Sequence, residues 1–477
     1  MGRVVYSQET CTVEGLSEMM NPAIETIREA TSGTTYEGKL HLVGGIVRDK
    51  VMGRPLAEDV DIVLEGDALE LARFLHEKGI AEHRPVTYPR FGTAMVSIQG
   101  HTVELVSARR ESYLPESRKP DVEAAGLCDD VLRRDFTINT LLQNLHTGEV
   151  LDLTGQGRVD IEAGIIRTPT EPETTFYDDP LRMLRAIRFA VRLGFEIEGK
   201  TWEAIVRDAE RLNIISKERI RDEFVKIVLS ERPVRGLRML KESGLLKQFA
   251  PELLGTQGVT QDGGHIYDVW EHTLQALESL TPQADLTLRL AVLFHDVGKP
   301  LTKTTDGEGH SHFYGHEEIG AEMTRKVLHR LRLPLSAVSR VARLVALHMR
   351  IGEYSDRWSD AAVKRLMRDA GMDMPDLITL AEADRMGANP NASTANLREL
   401  EQRMESILLK LPIAELRSPL NGREIMELLH IEPGTKVKEI KNFLIEEILE
   451  GRLDLKDKDT ARKLVLDRFG DEKAGDG

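Results

Sequence analysis

The sequence has little cysteine and no long apolar segment. Its 477 residues include two cysteines, Cys11 and Cys128, which are too few for a disulfide framework or a zinc cluster. No apolar run approaches the roughly 20 residues that a membrane-spanning helix needs, and the N-terminus lacks a secretory pattern. These absences exclude a disulfide-stabilised secreted fold and an integral membrane protein. They predict a cytoplasmic protein with no membrane partner.

The chain also lacks an excess of positive charge. Its formal net charge of −15 argues against a protein that coats nucleic acid over its whole surface. The charge is uneven, however, because residues 181–248 hold 16 Lys and Arg against 10 Asp and Glu. An acidic protein can carry a basic groove, so RNA binding over a limited surface stays open.

What is present describes a globular α+β protein. Hydrophobic residues make up 41% of the chain and charged residues 30%. Short apolar strands alternate with helices up to about Gly155, and the pattern after it is helical. We expect strands at 41–43, 60–64, 93–98 and 102–107, helices at 46–52 and 68–78, a loop at 251–262 and a linker at 387–394.

Two carboxylates stand two positions apart at Asp59 and Asp61. Side chains alternate along a strand, so both lie on the same side. Paired oxygen donors are what two Mg²⁺ ions need to bridge the phosphates of a nucleoside triphosphate. Glu104 lies inside another apolar strand, where a carboxylate is costly unless it is paired or bound to metal. The alternatives are a turn cap for Asp59 and an edge-strand charge for Glu104.

Gly44 and Gly45 end the first strand and begin a helix. Glycine lets the backbone approach a phosphate closely, and the amide dipoles at a helix start favour anions. Arg48 follows on the first helical turn and can add a charge-assisted contact. The order of paired glycines, arginine, paired aspartates and a strand glutamate is much rarer by chance than any one of these features.

Five segments together resemble the signature of class II tRNA nucleotidyltransferases and bacterial poly(A) polymerases. They are residues 42–49 (LVGGIVRD), 58–61 (EDVD), 133–139 (RRDFTIN), 178–189 (DDPLRMLRAIRF) and 215–220 (ISKERI). The resemblance covers roughly residues 38–248. It implies an enzyme that adds CMP or AMP from CTP or ATP to the 3′ end of tRNA, by a two-metal mechanism and without a nucleic-acid template.

The resemblance also implies roles for individual residues. Asp59, Asp61 and Glu104 are the expected catalytic carboxylates, and Asp59 and Asp61 would hold two Mg²⁺ ions. Asp179 and Arg182 would offer an acceptor and donors to the Watson–Crick edge of the incoming base. The full set of expected nucleotide-binding residues is Gly44, Gly45, Arg48, Arg109, Arg134, Asp135, Asn139, Asp179, Arg182, Arg185 and Arg188.

An arginine stripe runs along the fourth of these segments. Arg182, Arg185, Arg188 and Arg192 recur every three or four residues and therefore share a helix face. Like charges at this spacing repel one another by roughly a few tenths of a kcal/mol per pair. We expect a polyphosphate or an RNA backbone to relieve this repulsion. The alternative is a solvated basic face.

Histidines concentrate in the second half of the chain. His272, the pair His295 and Asp296, and Asp384 follow the ordered pattern of HD-domain metal phosphohydrolases, which this region resembles. Imidazole and carboxylate ligands suit a divalent transition metal such as Ni, Mn, Co or Fe. Further candidate ligands, for a second metal or for phosphate, are His310, His312, His316 and His348. Related nucleotidyltransferases carry such a domain, and in some it hydrolyses phosphomonoesters or 2′,3′-cyclic nucleotides. The alternative is a retained scaffold that shapes an RNA-binding body.

These patterns predict a nucleotidyltransferase head with a small mixed sheet, followed by an all-helical neck, HD domain and tail. The predicted boundaries are an N-terminal extension at 1–37, the head at 38–155, the neck with its base-recognition helix at 156–250, the HD domain at 260–388 and the tail at 389–477. Residues 420–426 and 431–434 resemble the tail segment of many of these enzymes.

The family divides by product into full CCA addition, CC-only addition, A-only addition and poly(A) tailing. CC-only enzymes typically lack a flexible segment after the third carboxylate, and residues 110–120 fill that place here, which disfavours CC-only addition. Full CCA and A-only addition stay open. Poly(A) polymerase ranks third, because the C-terminus lacks a basic tail. Two other classes are an HD phosphohydrolase with an inactive head, and a non-catalytic RNA-binding protein. The intact motif residues argue against both.

Overall fold

The chain divides into two compact units, Met1–Gln248 and Phe249–Gly477. The computed structural model describes residues 21–55, 59–112, 121–262, 266–389, 391–413 and 416–470, with the side chains of residues 111, 112, 121 and 122 excepted. Among the described residues, no helix is both long enough and apolar enough to cross a membrane.

A seven-stranded mixed sheet forms the centre of the first unit. The strands of this unit are β1 Leu40–Val43, β2 Val60–Leu64, β3 Val86–Tyr88, β4 Thr93–Ile98, β5 His101–Ser107, β6 Arg109–Ser112, β7 Asp121–Ala124, β8 Leu142–Asn144, β9 Val150–Leu151, β10 Ile165–Ile166 and β11 Glu196–Ile197. The large sheet has the order β3-β4-β5-β2-β1-β8-β9. Within it β2 and β5 run parallel, and the other neighbours are antiparallel. The β6–β7 hairpin and the parallel β10–β11 pair stand apart from it.

Helices surround this sheet and continue beyond it. Those of the first unit are α1 Pro22–Thr31, α2 Gly45–Val51, α3 Ala68–Glu77, α4 Leu127–Leu132, α5 Gly157–Ala163, α6 Pro172–Asp178, α7 Leu181–Leu193, α8 Gly199–Asp208, α9 Lys217–Val228, α10 Pro233–Glu242 and α11 Leu245–Phe249, which ends at the unit boundary. Helix α3 begins where the Asp67 side chain accepts hydrogen bonds from two amides of the first turn. Helix α7 packs against α9 and α10 through an apolar face that includes Leu184 and Ile187.

The described residues of the second unit are helical apart from one short hairpin. Its elements are α12 Pro251–Leu254, α13 Val269–Glu278, α14 Leu286–Phe294, α15 Lys299–Thr302, β12 Thr304–Thr305, β13 Ser311–His312, α16 His316–Arg330, α17 Leu335–Gly352, α18 Asp360–Ala370, α19 Met374–Ala388, α20 Ala395–Lys410, α21 Gly422–Leu429, α22 Thr435–Leu449 and α23 Lys458–Phe469. Helices α13, α14, α16, α17 and α19 pack on one another. A separate apolar cluster joins α21, α22 and α23.

The predicted α+β class is confirmed, and the sheet is mixed as expected. Strands β2 and β4 have the predicted bounds. Two local predictions are wrong. The expected loop at 251–262 begins with α12, because Pro251 starts a helix well. The expected linker at 387–394 begins too early, because α19 continues to Ala388. The finer domain boundaries stay predictions.

Candidate active sites in the head and in the second unit

Parallel pairing of β2 and β5 brings the head carboxylates together. Its register sets Asp61 directly opposite Glu104. Asp59 precedes β2 by one residue, two positions before Asp61. Burial raises the pKa of Asp61 to about 6, with the Glu104 charge as the next cause, the Asp59 charge adding to it and Arg134 opposing it. The three carboxylates therefore form a concentration of negative charge that a cation would stabilise.

The turn after β1 lies against this cluster. Gly44 has a φ of +80°, a conformation that side chains other than glycine rarely adopt. A Cβ atom on Gly44 would lie 3.7 Å from Asp61 Oδ2 and 4.0 Å from Arg134 Nη1. The glycine therefore lets the backbone of the β1–α2 turn approach one carboxylate and one guanidinium at the same place. Gly45 follows as the first residue of α2.

Arg134 is held in that place by a buried carboxylate. Its Nη2 donates to Asp130 Oδ2 at 2.8 Å, and Arg133 Nη2 donates to the other oxygen at 2.6 Å. Burial acts to raise the pKa of Asp130, but the charges of Arg134 and Arg133 outweigh it and lower the pKa below its usual value. Asp130 is fully buried, so it fixes both arginines from the interior.

Four predicted nucleotide-binding residues form one hydrogen-bonded network. Arg48 Nη1 donates to Asn139 Oδ1 at 2.8 Å, and Asn139 Nδ2 donates to Asp135 Oδ1 at 3.0 Å. Arg185 donates to Asp135 Oδ2 from Nε at 2.9 Å and from Nη2 at 2.5 Å. Although burial opposes it, this pairing lowers the pKa of Asp135 to about 2. Arg48 is 2% exposed and also pairs with Asp49, so it faces protein on all sides and not an open surface.

The repulsion among the arginines of the α7 stripe is relieved by acidic side chains of the protein, and not by a polyphosphate or RNA as expected. Arg188 Nε lies 2.8 Å from Glu223 Oε2, and Arg185 Nη1 lies 3.9 Å from Glu223 Oε1. Glu223 is 4% exposed. The repulsion within the stripe is thus relieved inside the protein, by Glu223 and by Asp135, so it requires neither RNA nor polyphosphate at these positions. Only Arg192, at the C-terminal end of α7, is exposed among the four stripe arginines.

The predicted base-reading pair lies at the start of α7. Asp179 Oδ2 accepts from Arg219 Nη2 at 2.7 Å. Arg182 Nη2 donates to the carbonyl oxygen of Arg133 at 2.6 Å. Arg219 belongs to the fifth motif and Arg133 to the third, so neighbouring motifs position both members of the pair. Arg109 Nη1 donates to Thr93 Oγ1 at 3.1 Å and to the carbonyl of Phe91.

The predicted HD residues converge in the second unit. His272 Nε2 lies 3.1 Å from His295 Nε2, 3.4 Å from Asp296 Oδ2 and 3.0 Å from Asp384 Oδ1. His272, His295 and Asp296 are almost fully buried. Nitrogen and oxygen donors this close to one another match what a divalent transition metal requires.

A second group of ligand atoms shares Asp296 with the first. His316 Nε2 lies 3.3 Å from Asp296 Oδ1 and 3.3 Å from His348 Nε2. Within the described residues, these two groups are the ones in which three or more side chains bring ligand atoms within 4.8 Å of one another. His310 and His312 do not join them. They lie on the exposed β12–β13 hairpin beside Asp306.

Backbone carbonyls set the tautomer of three of these histidines. Nδ1 of His295, His316 and His348 lies 2.7, 2.7 and 2.6 Å from the carbonyl oxygens of Val292, Phe313 and Val345. A proton on Nδ1 leaves the Nε2 lone pair directed at the centre of the cluster, which is the form that binds metal.

Two glycines allow the helices that carry these ligands to approach closely. A Cβ atom on Gly387 would lie 2.7 Å from the carbonyl oxygen of His272, so α19 brings Asp384 against α13. A Cβ atom on Gly298 would lie 2.2 Å from the carbonyl oxygen of His316. Both positions therefore need glycine for space.

The charges of this cluster favour a cation at its centre. Burial acts to lower the pKa of His295, but Asp296 and Asp384 outweigh it and raise the pKa to about 10. The pKa of His348 is lowered to about 4 by burial and by the charge on His295. A proton on His295 thus supplies positive charge between the carboxylates while His348 is neutral, and a bound metal would take the place of that proton at His295 Nε2. A cleft of about 540 Å³, lined by Lys299 and Arg385 among others, opens on the cluster.

Comparison with known proteins places this geometry in a family. The chain is 36% identical over 440 residues to the CC-adding tRNA nucleotidyltransferase of Thermus thermophilus, covering 89% of this chain and 92% of the relative. It is 38% identical over 330 residues to the A-adding tRNA nucleotidyltransferase of Deinococcus radiodurans, covering 67% and 74%. The chain belongs to the tRNA nucleotidyltransferase family. The predicted family is therefore confirmed.

Three domain families match successive parts of this tRNA nucleotidyltransferase. They are described as "Poly A polymerase head domain" at residues 40–167, "Probable RNA and SrmB- binding site of polymerase A" at 194–255 and "HD domain" at 263–389. The fold is similar to that of the Bacillus stearothermophilus CCA-adding enzyme in complex with CTP, with a TM-score of 0.69, 24% identity and coverage of 95% of this chain and 100% of that one. It is also similar to the Thermotoga maritima CCA-adding enzyme complexed with tRNA, with a TM-score of 0.56, 22% identity and coverage of 94% and 96%.

The structure adds residues that sequence reasoning missed. Glu223 and Asp130 carry no motif of their own, yet they hold the arginines of two motifs. Asp130 lies four positions before Arg134, at the end of α4, and this spacing is typical of helical ion pairs. No comparable signal marks Glu223, since it lies 35 positions from Arg188.

Proposed function

We propose that the chain adds CMP and AMP from CTP and ATP to the 3′ end of tRNA, as full CCA or as the terminal A. The observation that carries this proposal is the β2–β5 register, which sets Asp61 opposite Glu104 beside the Gly44 turn and Arg134. Membership of the family supports it, as do the CCA-adding enzymes of the same fold that were solved with CTP, ATP or tRNA.

Asp59 and Asp61 would hold two Mg²⁺ ions, with Glu104 as the third carboxylate. Their oxygen donors suit Mg²⁺, and the raised pKa of Asp61 marks negative charge that the ions would offset. Bound Mg²⁺ supplies Lewis-acid stabilisation of the phosphate charge. In the transfer, the 3′ oxygen of tRNA bonds to the α-phosphorus and the bond to the pyrophosphate leaving group breaks. Arg134, fixed by Asp130, places a positive charge beside Asp61 for the phosphate oxygens.

The other predicted nucleotide-binding residues divide into two kinds. Asp179 and Arg182 would read the base, because each is held by a neighbouring motif and neither is fully buried. Arg48, Asn139 and Asp135 contact one another in the interior. We assign these three a positioning role, in which they fix Arg185 and α7 relative to the β1–α2 turn.

We further propose that the histidine cluster binds divalent metal and hydrolyses phosphomonoesters or 2′,3′-cyclic nucleotides. The supporting observation is that Asp296 is shared by two groups of buried ligands whose Nε2 atoms face inward. A metal held there would supply Lewis-acid activation of phosphate and water. Lys299 Nζ lies 2.7 Å from Asp296 Oδ2 at the edge of the cleft, where it could also meet a phosphate oxygen.

The test of the first proposal supplies CTP, ATP or both to tRNA transcripts that end at the discriminator base, at C or at CC. Products are resolved to single nucleotides on a gel. Full CCA addition extends the discriminator end by three residues with both nucleotides, whereas A-only addition extends only the CC end. Products extended by C alone would show CC-only addition, which is the activity named for the Thermus thermophilus relative. Residues 110–120, whose presence disfavours CC-only addition, lie largely outside the described residues. Long A tracts would indicate a poly(A) polymerase. Absence of any extension would show that the head is inactive.

A further inference from the structure

A basic cleft lies at the C-terminal ends of α2 and α7, within the first unit. Three arginines line it, Arg54, Arg192 and Arg232, and its volume is about 510 Å³. The remaining lining residues are Pro55, Leu193, Leu229, Ser230 and Glu231. None of the three arginines belongs to the nucleotide-binding set described above.

The cleft and the carboxylates lie toward opposite ends of two neighbouring helices. The guanidinium of Arg48 lies 5.3 Å from the centroid of the Phe189 ring. Later in both helices, Arg54 Nη2, just after α2, donates to the carbonyl oxygen of Leu193, the last residue of α7, at 3.2 Å. Helices α2 and α7 therefore run in the same direction. Since α2 begins at the Gly44 turn beside Asp61, the cleft is separated from the carboxylates by the length of α2, which has seven residues.

Among the described residues, the three cleft arginines have no acidic partner, in contrast to about half of the neck arginines. Arginines that do form ion pairs in this region are Arg167, Arg185, Arg188, Arg207, Arg219, Arg221 and Arg235. Within the described part of the chain, Arg54, Arg192 and Arg232 form no ion pair, and all three are exposed. Glu231 is the single carboxylate in the lining, so the cleft keeps an excess of positive charge.

Packing explains the position of these arginines only in part. The hydrogen bond from Arg54 caps the end of α7, where the helix dipole favours a cation. A Cβ atom on Gly194 would lie 2.4 Å from Arg232 Nη1, so Arg232 is packed against the same helix end. One cation would be enough to stabilise the C-terminal end of α7. Three unpaired guanidinium groups repel one another unless an anion lies between them.

We propose that this cleft binds phosphate groups of the RNA backbone, and that it holds the tRNA substrate at a point away from the reacting 3′ end. Guanidinium groups offer paired donors that match phosphate oxygens, and backbone contacts position a nucleic acid without reading its sequence. The cleft's own chemistry would suit free pyrophosphate or a nucleoside triphosphate as well. RNA is favoured because the cleft is separated from the site of nucleotide transfer. In naming tRNA, this inference rests on the proposed function.

The test measures binding of a fluorescently labelled tRNA transcript that lacks CCA, by anisotropy, over a range of salt concentrations. Arg192→Gln and Arg232→Gln should each weaken binding roughly fivefold and lower the salt slope by about 1, as expected when one phosphate contact is lost. Arg232→Lys should recover part of the affinity. Arg207→Gln is the matched control, because Arg207 is an exposed neck arginine with acidic partners, and it should bind tRNA like the wild type.

Two results would overturn the proposal. One is binding of tRNA by the Arg192 and Arg232 variants that equals that of the Arg207→Gln control. The other is unchanged tRNA binding with weaker competition by pyrophosphate or CTP, which would assign the cleft to a free polyphosphate. The readout is RNA binding and not nucleotide incorporation. An inactive head would therefore defeat the proposed function and still leave this inference testable.

Discussion

Arg185 and Asp135 form a two-point ion pair, with Arg185 Nε and Nη2 at 2.9 and 2.5 Å from the same carboxylate oxygen. The pair joins α7 to the third sequence motif. Asp135 also accepts from Asn139, which in turn accepts from Arg48. This network ties α7 to α2, the helix that begins at the Gly44 turn.

Loss of charge at Asp135 should destabilise the first unit in a pH-dependent way. The pKa of Asp135 lies near 2 in the folded chain, below its ordinary value of 3.8. A lowered carboxyl pKa contributes stability above the unfolded pKa, and this stability is lost as the pH falls toward 2. Asp135→Asn should therefore cost about 2 kcal/mol at pH 7, measured from urea unfolding. The difference from wild type should stay constant from pH 7 to pH 5 and narrow only below about pH 4. A difference that stays constant down to about pH 2 would show that the carboxyl keeps its ordinary pKa in the folded chain.

Removal of the Glu223 charge should leave Arg188 buried without a counter-ion. Breaking a buried ion pair from one side typically costs about 3 kcal/mol or more. We expect Glu223→Gln to lower the free energy of unfolding by about that amount. The control is Glu196→Gln, because Glu196 pairs with Arg235 while 81% of its side chain is exposed, and it should cost less than about 1 kcal/mol. Equal effects from the two substitutions would mean that Glu223 does not neutralise the α7 arginines.

A methyl group at Gly387 should disturb the histidine cluster without touching a ligand. The added Cβ would meet the His272 carbonyl at 2.7 Å and Ala276 Cβ at 2.9 Å, so α19 must move away from α13 and take Asp384 with it. Gly387→Ala should cost about 1–3 kcal/mol and lower the bound metal measured by elemental analysis. Gly352→Ala adds a Cβ with no atom within 4 Å and should keep the metal. Full metal content in Gly387→Ala would contradict the ligand assignment of Asp384.

Much of both sites could be predicted from the sequence, because their residues occur at spacings that secondary structure converts into proximity. Asp59 and Asp61 follow the alternation of a strand, and the buried face of α7 follows helical periodicity. The pairing of β2 with β5, which brings Glu104 to Asp61, needed the family pattern, because 43 positions separate the two residues.

Partners that lie far apart in sequence could not be predicted. Arg48 and Asn139 are 91 positions apart, so the expected phosphate contact of Arg48 gave no hint of its burial. The same is true of the four additional histidines, whose positions could not be predicted from the sequence. His316 and His348 join the cluster whereas His310 and His312 do not, and only the packing of α16 on α17 distinguishes the two pairs.

Substitution of His295 should separate the two proposed activities. His295→Ala removes a ligand from the first group of the cluster. We expect it to abolish metal-dependent hydrolysis of 2′,3′-cyclic AMP and to leave the extension of tRNA unchanged. Chelation of the tightly held metal followed by addition of Mg²⁺ alone should reproduce this result in the wild type. Loss of both activities in His295→Ala, with folding intact by circular dichroism, would mean that the sites are not independent.

The most direct measurement of the central claim is incorporation of labelled CMP and AMP into tRNA by the variant that combines Asp59→Ala with Asp61→Ala. We expect incorporation to be abolished, while tRNA binding and hydrolysis of 2′,3′-cyclic AMP remain at the wild-type level. Incorporation that survives the double substitution would contradict the assignment of the head carboxylates as the site of nucleotide transfer.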